Sequence, residues 1–243
     1  MSRKFLFLCL ALILLVIALP AFPRPVRPTL GQFSTEPVFI LDAGHGGEDG
    51  GATAADGTKE SEINLQIVLR LEALSALCGQ KTYLIRREDR SVHDADCKTV
   101  AEKKRSDLRN RVAMVNSLPG TLLLSIHQNH FPEGKYSGAQ TFYAAAGGKE
   151  LAEQIQTSLQ TAVDRRNHRK CKPADGVYLM KKIRSPGVLV ECGFLSNTKE
   201  AALLRQPDYQ KKLAAAILAP IIRNGSDTNA ETKTTLLLQG VWQ

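Results

Sequence analysis

A chain of 243 residues with 43% hydrophobic and 23% charged residues has the composition of a folded globular protein, which argues against an extended disordered chain. That length suits one sizeable α/β domain with spare ends. The net charge of +8 points to an anionic neighbour, whether nucleic acid, a membrane surface or an acidic polymer.

Arg3 and Lys4 precede an uncharged run from Phe5 to Phe22, FLFLCLALILLVIALPAF. Its length falls between that of a secretory apolar region and the roughly 20 residues of a bilayer span, so residues 1–22 read as a signal peptide or a signal anchor. Ala21 offers a small residue for cleavage, but Leu19 stands where a second small residue is preferred, which favours a retained anchor. Arg24 and Arg27 follow the run, so charge asymmetry fixes its direction weakly. All globular character lies beyond it, and the simplest outcome is an exported domain, either membrane-anchored or secreted. Nucleic acid then gives way to envelope polymers and lipid headgroups as the anionic partner. Residues 23–36 are Pro-rich and read as an extended linker.

The folded part alternates strand and helix. PVFILDAG is a near-continuous apolar run of strand length. SEINLQIVLRLEALSALCG is helical, with Ile63, Ile67, Leu71 and Leu74 on one face and Gly79 just past its end. KTYLIR is a second strand. SDLRNRVAMVNSLPG is a helix with Ser106 as its N-cap and Leu108, Val112 and Val115 facing inward. TLLLSIH is another buried strand, and a loop leads from it to GAQTFYAA. GKELAEQIQTSLQTAV places Leu151, Ile155 and Leu159 on one helical face. GVYLM and PGVLVECGFL are short strand candidates, and PDYQKKLAAAILAPII closes the domain (37–224) as a helix. Residues 225–243 are mostly polar at first and read as a flexible tail. The alternation predicts an α/β fold: a mostly parallel, mixed and twisted sheet of about six strands with helices on both faces.

The unusual polar residues fall at one edge of that sheet. His45 follows FILDAG, His127 ends LLLSI and Glu191 follows GVLV, each at the C-terminal end of a buried strand, where open parallel sheets build their sites. Glu60 opens the helix that returns from the first strand, so it starts at the same edge. Taken singly, a strand-end histidine is usually a satisfied core residue and a helix-start glutamate a dipole partner. A charge inside GVLVECGFL is costly to bury without a partner. Two imidazoles and one carboxylate suit zinc with an open position for water, and a second, unligated carboxylate can then shuttle protons. The glycines of LDAGHGGEDGGA do not make a phosphate loop, because the third position of G-x-G-x-x-G is Asp49 and no Gly-Lys-Ser/Thr follows.

LDAGHGGEDGGA, GTKESEINL, LLLSIHQNH and VLVECGFLSNTKEAALL stand in the order and at roughly the spacing of the zinc-dependent N-acetylmuramoyl-L-alanine amidases of the amidase-3 type, and the resemblance spans Val38 to Ile222. It implies one zinc ion on His45, Glu60 and His127 at the C-terminal edge of the strands, with Glu191 as the catalytic glutamate. Asn129 matches a position beside the site, and Arg86 matches a common arginine that is either structural or near the site; both stand as candidate substrate-binding residues. YSGAQTFY, DGVYLM and ECGFLSN resemble the spore-cortex, germination-specific subgroup, the CwlD-like amidases. One departure is Ser61, where the family usually carries lysine after the glutamate ligand.

The resemblance implies hydrolysis of the amide between N-acetylmuramic acid and L-alanine in peptidoglycan. Glu191 would accept the proton of water and deliver it to the leaving nitrogen. In the spore-cortex subgroup the product is the precursor of muramic-δ-lactam, made in the space between the forespore membranes. The rival readings are another zinc peptidoglycan hydrolase, a carboxypeptidase or deacetylase, and a non-catalytic wall-binding activator. No CxxC pair occurs among Cys9, Cys78, Cys97, Cys171 and Cys192; a Cys97–Cys171 disulfide and free thiols are both open. His130 reads as solvated, His93 and His168 lie in charged loops and are assigned no role, and the basic run DRRNHRKCK reads as a solvated face that could also contact anionic glycan or membrane.

Overall fold

The computed structural model describes residues 38–224. The expected signal or anchor segment, the linker and the tail lie outside the described residues. Among the described residues no helix is long and apolar enough to cross a membrane.

The elements follow in the order β1 (Val38–Ala43), α1 (Glu60–Leu77), β2 (Thr82–Leu84), α2 (Val100–Asn116), β3 (Thr121–Asn129), β4 (Gln140–Tyr143), α3 (Lys149–Ala162), β5 (Lys172–Pro173), α4 (Tyr178–Lys182), β6 (Gly187–Phe194), α5 (Thr198–Leu204) and α6 (Pro207–Asn224). The six strands form one sheet in the order β2-β1-β3-β6-β4-β5. All neighbours are parallel except β4 and β6, which run antiparallel, so the expected mixed α/β sheet is present.

The apolar runs read as they do because both faces of the sheet are covered. Phe39, Leu41, Leu124, Ile126, Val188 and Val190 enter a core shared with α1, α3 and α6. The alternate residues Ile40, Leu123 and Leu189 enter a second core with Val115 of α2 and Leu179 and Met180 of α4. A strand buried on both sides has no polar face to show, which is why its sequence does not alternate.

Two local expectations are corrected. α2 begins at Val100, not after Ser106. Thr99 caps it through a reciprocal pair in which Thr99 Oγ1 accepts from Glu102 N (3.2 Å) and Glu102 Oε2 accepts from Thr99 N (3.0 Å). Ser106 is buried inside the helix, its Oγ donating to Asp94 Oδ2 at 2.7 Å. GVYLM is not a strand: after an extended Val177 the chain turns into α4, with Leu179 and Met180 buried. So short an apolar run fits either period, and packing decided it. Cys97 and Cys171 are not joined by a disulfide.

Candidate metal and catalytic site

β1 delivers the first residue of the site. The chain leaves the strand at Ala43, and His45 adopts a left-handed backbone with φ 61°, a conformation that costs a non-glycine residue energy and persists only where its surroundings enforce it. Two buried arginines enforce it here. Arg86 Nε donates to Ala43 O (2.9 Å) and its Nη2 to Gly44 O (3.1 Å) and Ser61 O (2.8 Å), while Nη1 donates to Glu88 O (2.9 Å). Arg111 of α2 donates from Nη1 to Ala43 O (3.0 Å) and from Nη2 to His45 O (2.8 Å). Three successive carbonyls of the turn are thus held by fixed guanidinium forks.

Arg111 is anchored in turn. It pairs with Asp42 through Nη1 and with Asp107 through Nε (2.6 Å), and Ser125 Oγ donates to the other Asp42 oxygen at 2.6 Å. Burial pushes the Asp42 carboxyl up, but Arg111 and Ser125 outweigh it and hold the group below the usual carboxylate range. Burial, with the nearby Arg111 charge, lowers the Arg86 guanidinium to about 10.

Glu60 sits at the first position of α1, 3% exposed. Its Oε1 lies 2.9 Å from His127 Nδ1 and accepts from Gln128 N (3.1 Å) and Asn64 Nδ2 (3.2 Å). Its Oε2 accepts from Ala52 N (2.9 Å) and lies 3.4 Å from His45 Nε2. Asn64 also donates to Gly44 O (3.1 Å), tying the helix to the His45 turn. The imidazoles of His45 and His127 meet edge to face with centroids 5.1 Å apart. One donor atom from each of His45, Glu60 and His127 falls within 4.8 Å of the others, so the three residues expected as a ligand set do converge.

Two glycines make that convergence sterically possible. A Cβ on Gly44 would lie 2.1 Å from His127 Cε1, and a Cβ on Gly51, itself at φ 68°, would lie 2.5 Å from Glu60 Oε2. The glycine-rich turn therefore shapes His45 and also leaves room for the other two arms. Gly44→Ala is expected to weaken retention of a divalent metal at least about tenfold, read by competition with a coloured chelator, because the His127 ring must move.

The electrostatics favour a cation among these groups. Burial opposes ionisation of Glu60, yet the two histidines hold its carboxyl far below the ordinary range. Burial also pulls His45 down, but Asp49 and Glu60 overcome it and raise the imidazole to about 9. His45 Nδ1 is 3.1 Å from Asp49 Oδ2, close enough for charge attraction but not aligned as a hydrogen bond. A set of two imidazoles and a carboxylate that binds positive charge this strongly fits a divalent metal, which would take the place of the proton.

Glu191 stands opposite His127 in the parallel β3–β6 register. Its Oε2 is sealed from solvent and has no hydrogen-bond partner in the protein. Burial raises this carboxyl to about 7, with the His127 charge opposing and Glu60 adding to the rise. An unpartnered buried carboxylate oxygen is rare in a folded protein, and this one stands beside the three convergent donors. Asn129 ends β3 at the same edge, half-buried, past a register shift that separates it from His127. Arg86 is 1% exposed and donates to four backbone carbonyls around the turn. His130 is exposed, as expected.

Asp42, Asn64 and Arg111 were not singled out from the sequence. Asp42 carried a readable signal, since a charge in the buried run FILDA calls for a partner as Glu191 does in GVLVECGFL. Nothing in RNRVAM marks Arg111.

The comparisons with known proteins bear on this site. A family model described as N-acetylmuramoyl-L-alanine amidase, Amidase_3, matches residues 39–223. The germination-specific N-acetylmuramoyl-L-alanine amidase of Bacillus subtilis is 37% identical over 188 residues, 76% of this chain and 78% of that protein. The solved CwlD amidase of Clostridioides difficile, in complex with the GerS lipoprotein, is 43% identical with a TM-score of 0.71, over 74% of this chain and 94% of that one. An N-acetylmuramoyl-L-alanine amidase from Clostridium difficile 630 superposes with a TM-score of 0.68 at 26% identity, over 80% and 100% of the two chains. The resemblance of the motifs to the CwlD-like type agrees with the first relative and the first structure. A family match over nearly all of the described residues, with relatives aligned along most of their own length, makes this chain an N-acetylmuramoyl-L-alanine amidase of the Amidase_3 family.

Proposed function

We propose that the chain cleaves the amide between N-acetylmuramic acid and L-alanine in peptidoglycan with one zinc ion on His45, Glu60 and His127 and with Glu191 as the proton carrier. The observation that carries this reading is the unpartnered Glu191 Oε2 set in register with His127, beside a three-residue donor set. When bound, zinc supplies a Lewis acid that polarises the lactyl carbonyl and makes water acidic enough to attack at neutral pH. Glu191 Oε2 takes the proton from the attacking water and returns it to the leaving L-alanine nitrogen. The Arg86 and Arg111 clamps keep His45 in place, so little reorganisation is needed as the reaction proceeds. Asn129 borders the same edge and is assigned to substrate contact.

The germination-specific name of the Bacillus relative supports a role in spore-cortex modification, with the freed lactyl carboxyl as precursor of muramic-δ-lactam. The lipoprotein bound to the Clostridioides relative supports an activating partner of that kind. With an N-terminal anchor at residues 1–22, a linker at 23–36 and the catalytic domain from residue 37, the enzyme would work outside the membrane facing the wall, in a spore former between the forespore membranes.

Digestion of purified peptidoglycan with and without a chelator, followed by mass analysis, tests the reading. Release of intact stem peptides beginning with L-alanine, lost with chelator and regained with zinc, is the expected result. Shortened stems would indicate a carboxypeptidase, and cleavage insensitive to the chelator would remove the metal from the account.

A further inference from the structure

The sheet continues the row of site residues outward. Gln140 of β4 lies opposite Glu191 in the antiparallel β4–β6 register, so His127, Glu191 and Gln140 stand side by side on one face of three adjacent strands. Gln140 Oε1 accepts from Arg169 Nη1 (3.1 Å), and Arg169 Nε donates to Ser137 O (2.8 Å). The Arg169 guanidinium also lies over the Phe194 ring, 4.5 Å from its centroid. From Arg169 onward opens a groove of about 540 Å3 whose lining includes Lys135, Tyr136, Arg166, His168 and Arg169, with Asp164 as its one carboxylate.

The wall of this groove is built rather than loose. Glu200 accepts from Gly138 N (2.8 Å) and Phe194 N (2.7 Å), and Asn197 Nδ2 donates to Gly134 O (3.0 Å) and Tyr136 O (3.2 Å). Ser196 Oγ accepts from Phe131 N at 3.1 Å. The start of α5 thus pins the loop after β3 against the end of β6. On that loop Phe131 and Tyr136 remain 48% and 37% exposed with ring centroids 5.3 Å apart, and Lys135 lies over Tyr136. Arg166 Nε lies 3.3 Å from Asp164 Oδ1, yet the Arg166 side chain stays 93% exposed, so cations outnumber carboxylates in the groove. Exposed aromatics beside an excess of cations at the rim of a site are a binding surface.

The two halves of the substrate differ in charge. The glycan strand presents hydroxyl and N-acetyl groups, whereas the stem peptide carries free carboxylates. We propose that the groove seats the anionic stem peptide, with Lys135 and Arg166 meeting its carboxylates and Tyr136 its aliphatic stretches, so that the scissile amide falls between Glu191 and the metal ligands. This assignment rests on the amidase reading and adds to it the direction in which the substrate lies: peptide towards β4 and β5, glycan on the far side.

The test uses the zinc-loaded full chain and two soluble muropeptides, one with free stem carboxylates and one with those carboxylates amidated. Lys135 and Arg166 are both exposed, and the Arg166–Asp164 pair is a surface one, so changing them is expected to leave the fold intact, checked by an unchanged unfolding midpoint. The Lys135→Ala/Arg166→Ala double variant is expected to raise KM for the free-carboxylate substrate about tenfold, with kcat within about twofold. The amidated substrate should show no such change. An equal effect on both substrates, or none on either, overturns the assignment while leaving the amidase reading standing. Failure of the unmodified enzyme to cleave either substrate would instead overturn the amidase reading itself.

Discussion

Glu191→Gln is expected to lower kcat on a soluble muropeptide by about 10²–10⁴-fold, the range for loss of a positioned general base. The amide keeps the size of the side chain and its place opposite His127. What it loses is the oxygen that can carry a proton, the Oε2 that no protein donor contacts. Zinc content by elemental analysis should therefore match the unaltered protein, because Glu191 is not among the three convergent donors. The pH profile gives a second readout. A base works in its ionised form, so kcat/KM falls as pH drops through the pKa of Glu191. Burial sets that value at about 7 in the metal-free chain. A bound dication favours the carboxylate, which places the acid limb of the loaded enzyme below that value. The variant should lack this limb. Full lytic activity in Glu191→Gln would remove Glu191 from the proton path.

The parts of the site legible in the sequence were those whose signal is local. His45, His127 and Glu191 each interrupt or end a buried apolar run, and a run of that kind states both its element and its burial. Glu60 was placed by the return of the helix to the same edge. The sequence showed that the glycines make no phosphate loop, and only the packed structure reveals that Gly44 and Gly51 yield space to His127 and Glu60. The clamps were not legible, because Arg111 meets Asp42 across 69 positions and Arg86 meets Ala43 across 43. Such pairings depend on how α2 and the end of β2 pack over the turn, and no periodicity encodes them. The same reason accounts for the start of α2. Ser106 is a good cap residue by type, but Thr99 with Glu102 three positions on forms the reciprocal pair, and Ser106 was drawn inside to bind Asp94.

The largest stability effect is expected at the Asp42–Arg111 pair. Both side chains are almost wholly buried, at 1% and 2% exposure. Arg111→Met strips the buried Asp42 carboxylate of its main counter-charge, leaving Ser125 as its remaining donor, and should cost about 3–5 kcal/mol in urea unfolding. It also frees His45 O and one of two bonds to Ala43 O, so zinc affinity should fall in the same variant. Asp42→Asn/Arg111→Met is expected to be less destabilised than the sum of the single changes, because the stranded charge is gone; strict additivity would show the two residues to be energetically independent. The pH dependence follows from the sign of the shift. The carboxyl of Asp42 titrates lower in the folded protein than in the unfolded chain, so its ionised form favours the fold. That contribution is complete above the unfolded value of about 3.9 and is lost as pH falls towards the depressed folded value. Unfolding midpoints measured between neutral pH and this acid window should drop for the unaltered protein and drop less for Asp42→Asn, which has no proton to gain there. Equal slopes for the two would mean that the acid sensitivity of the fold lies in other carboxylates.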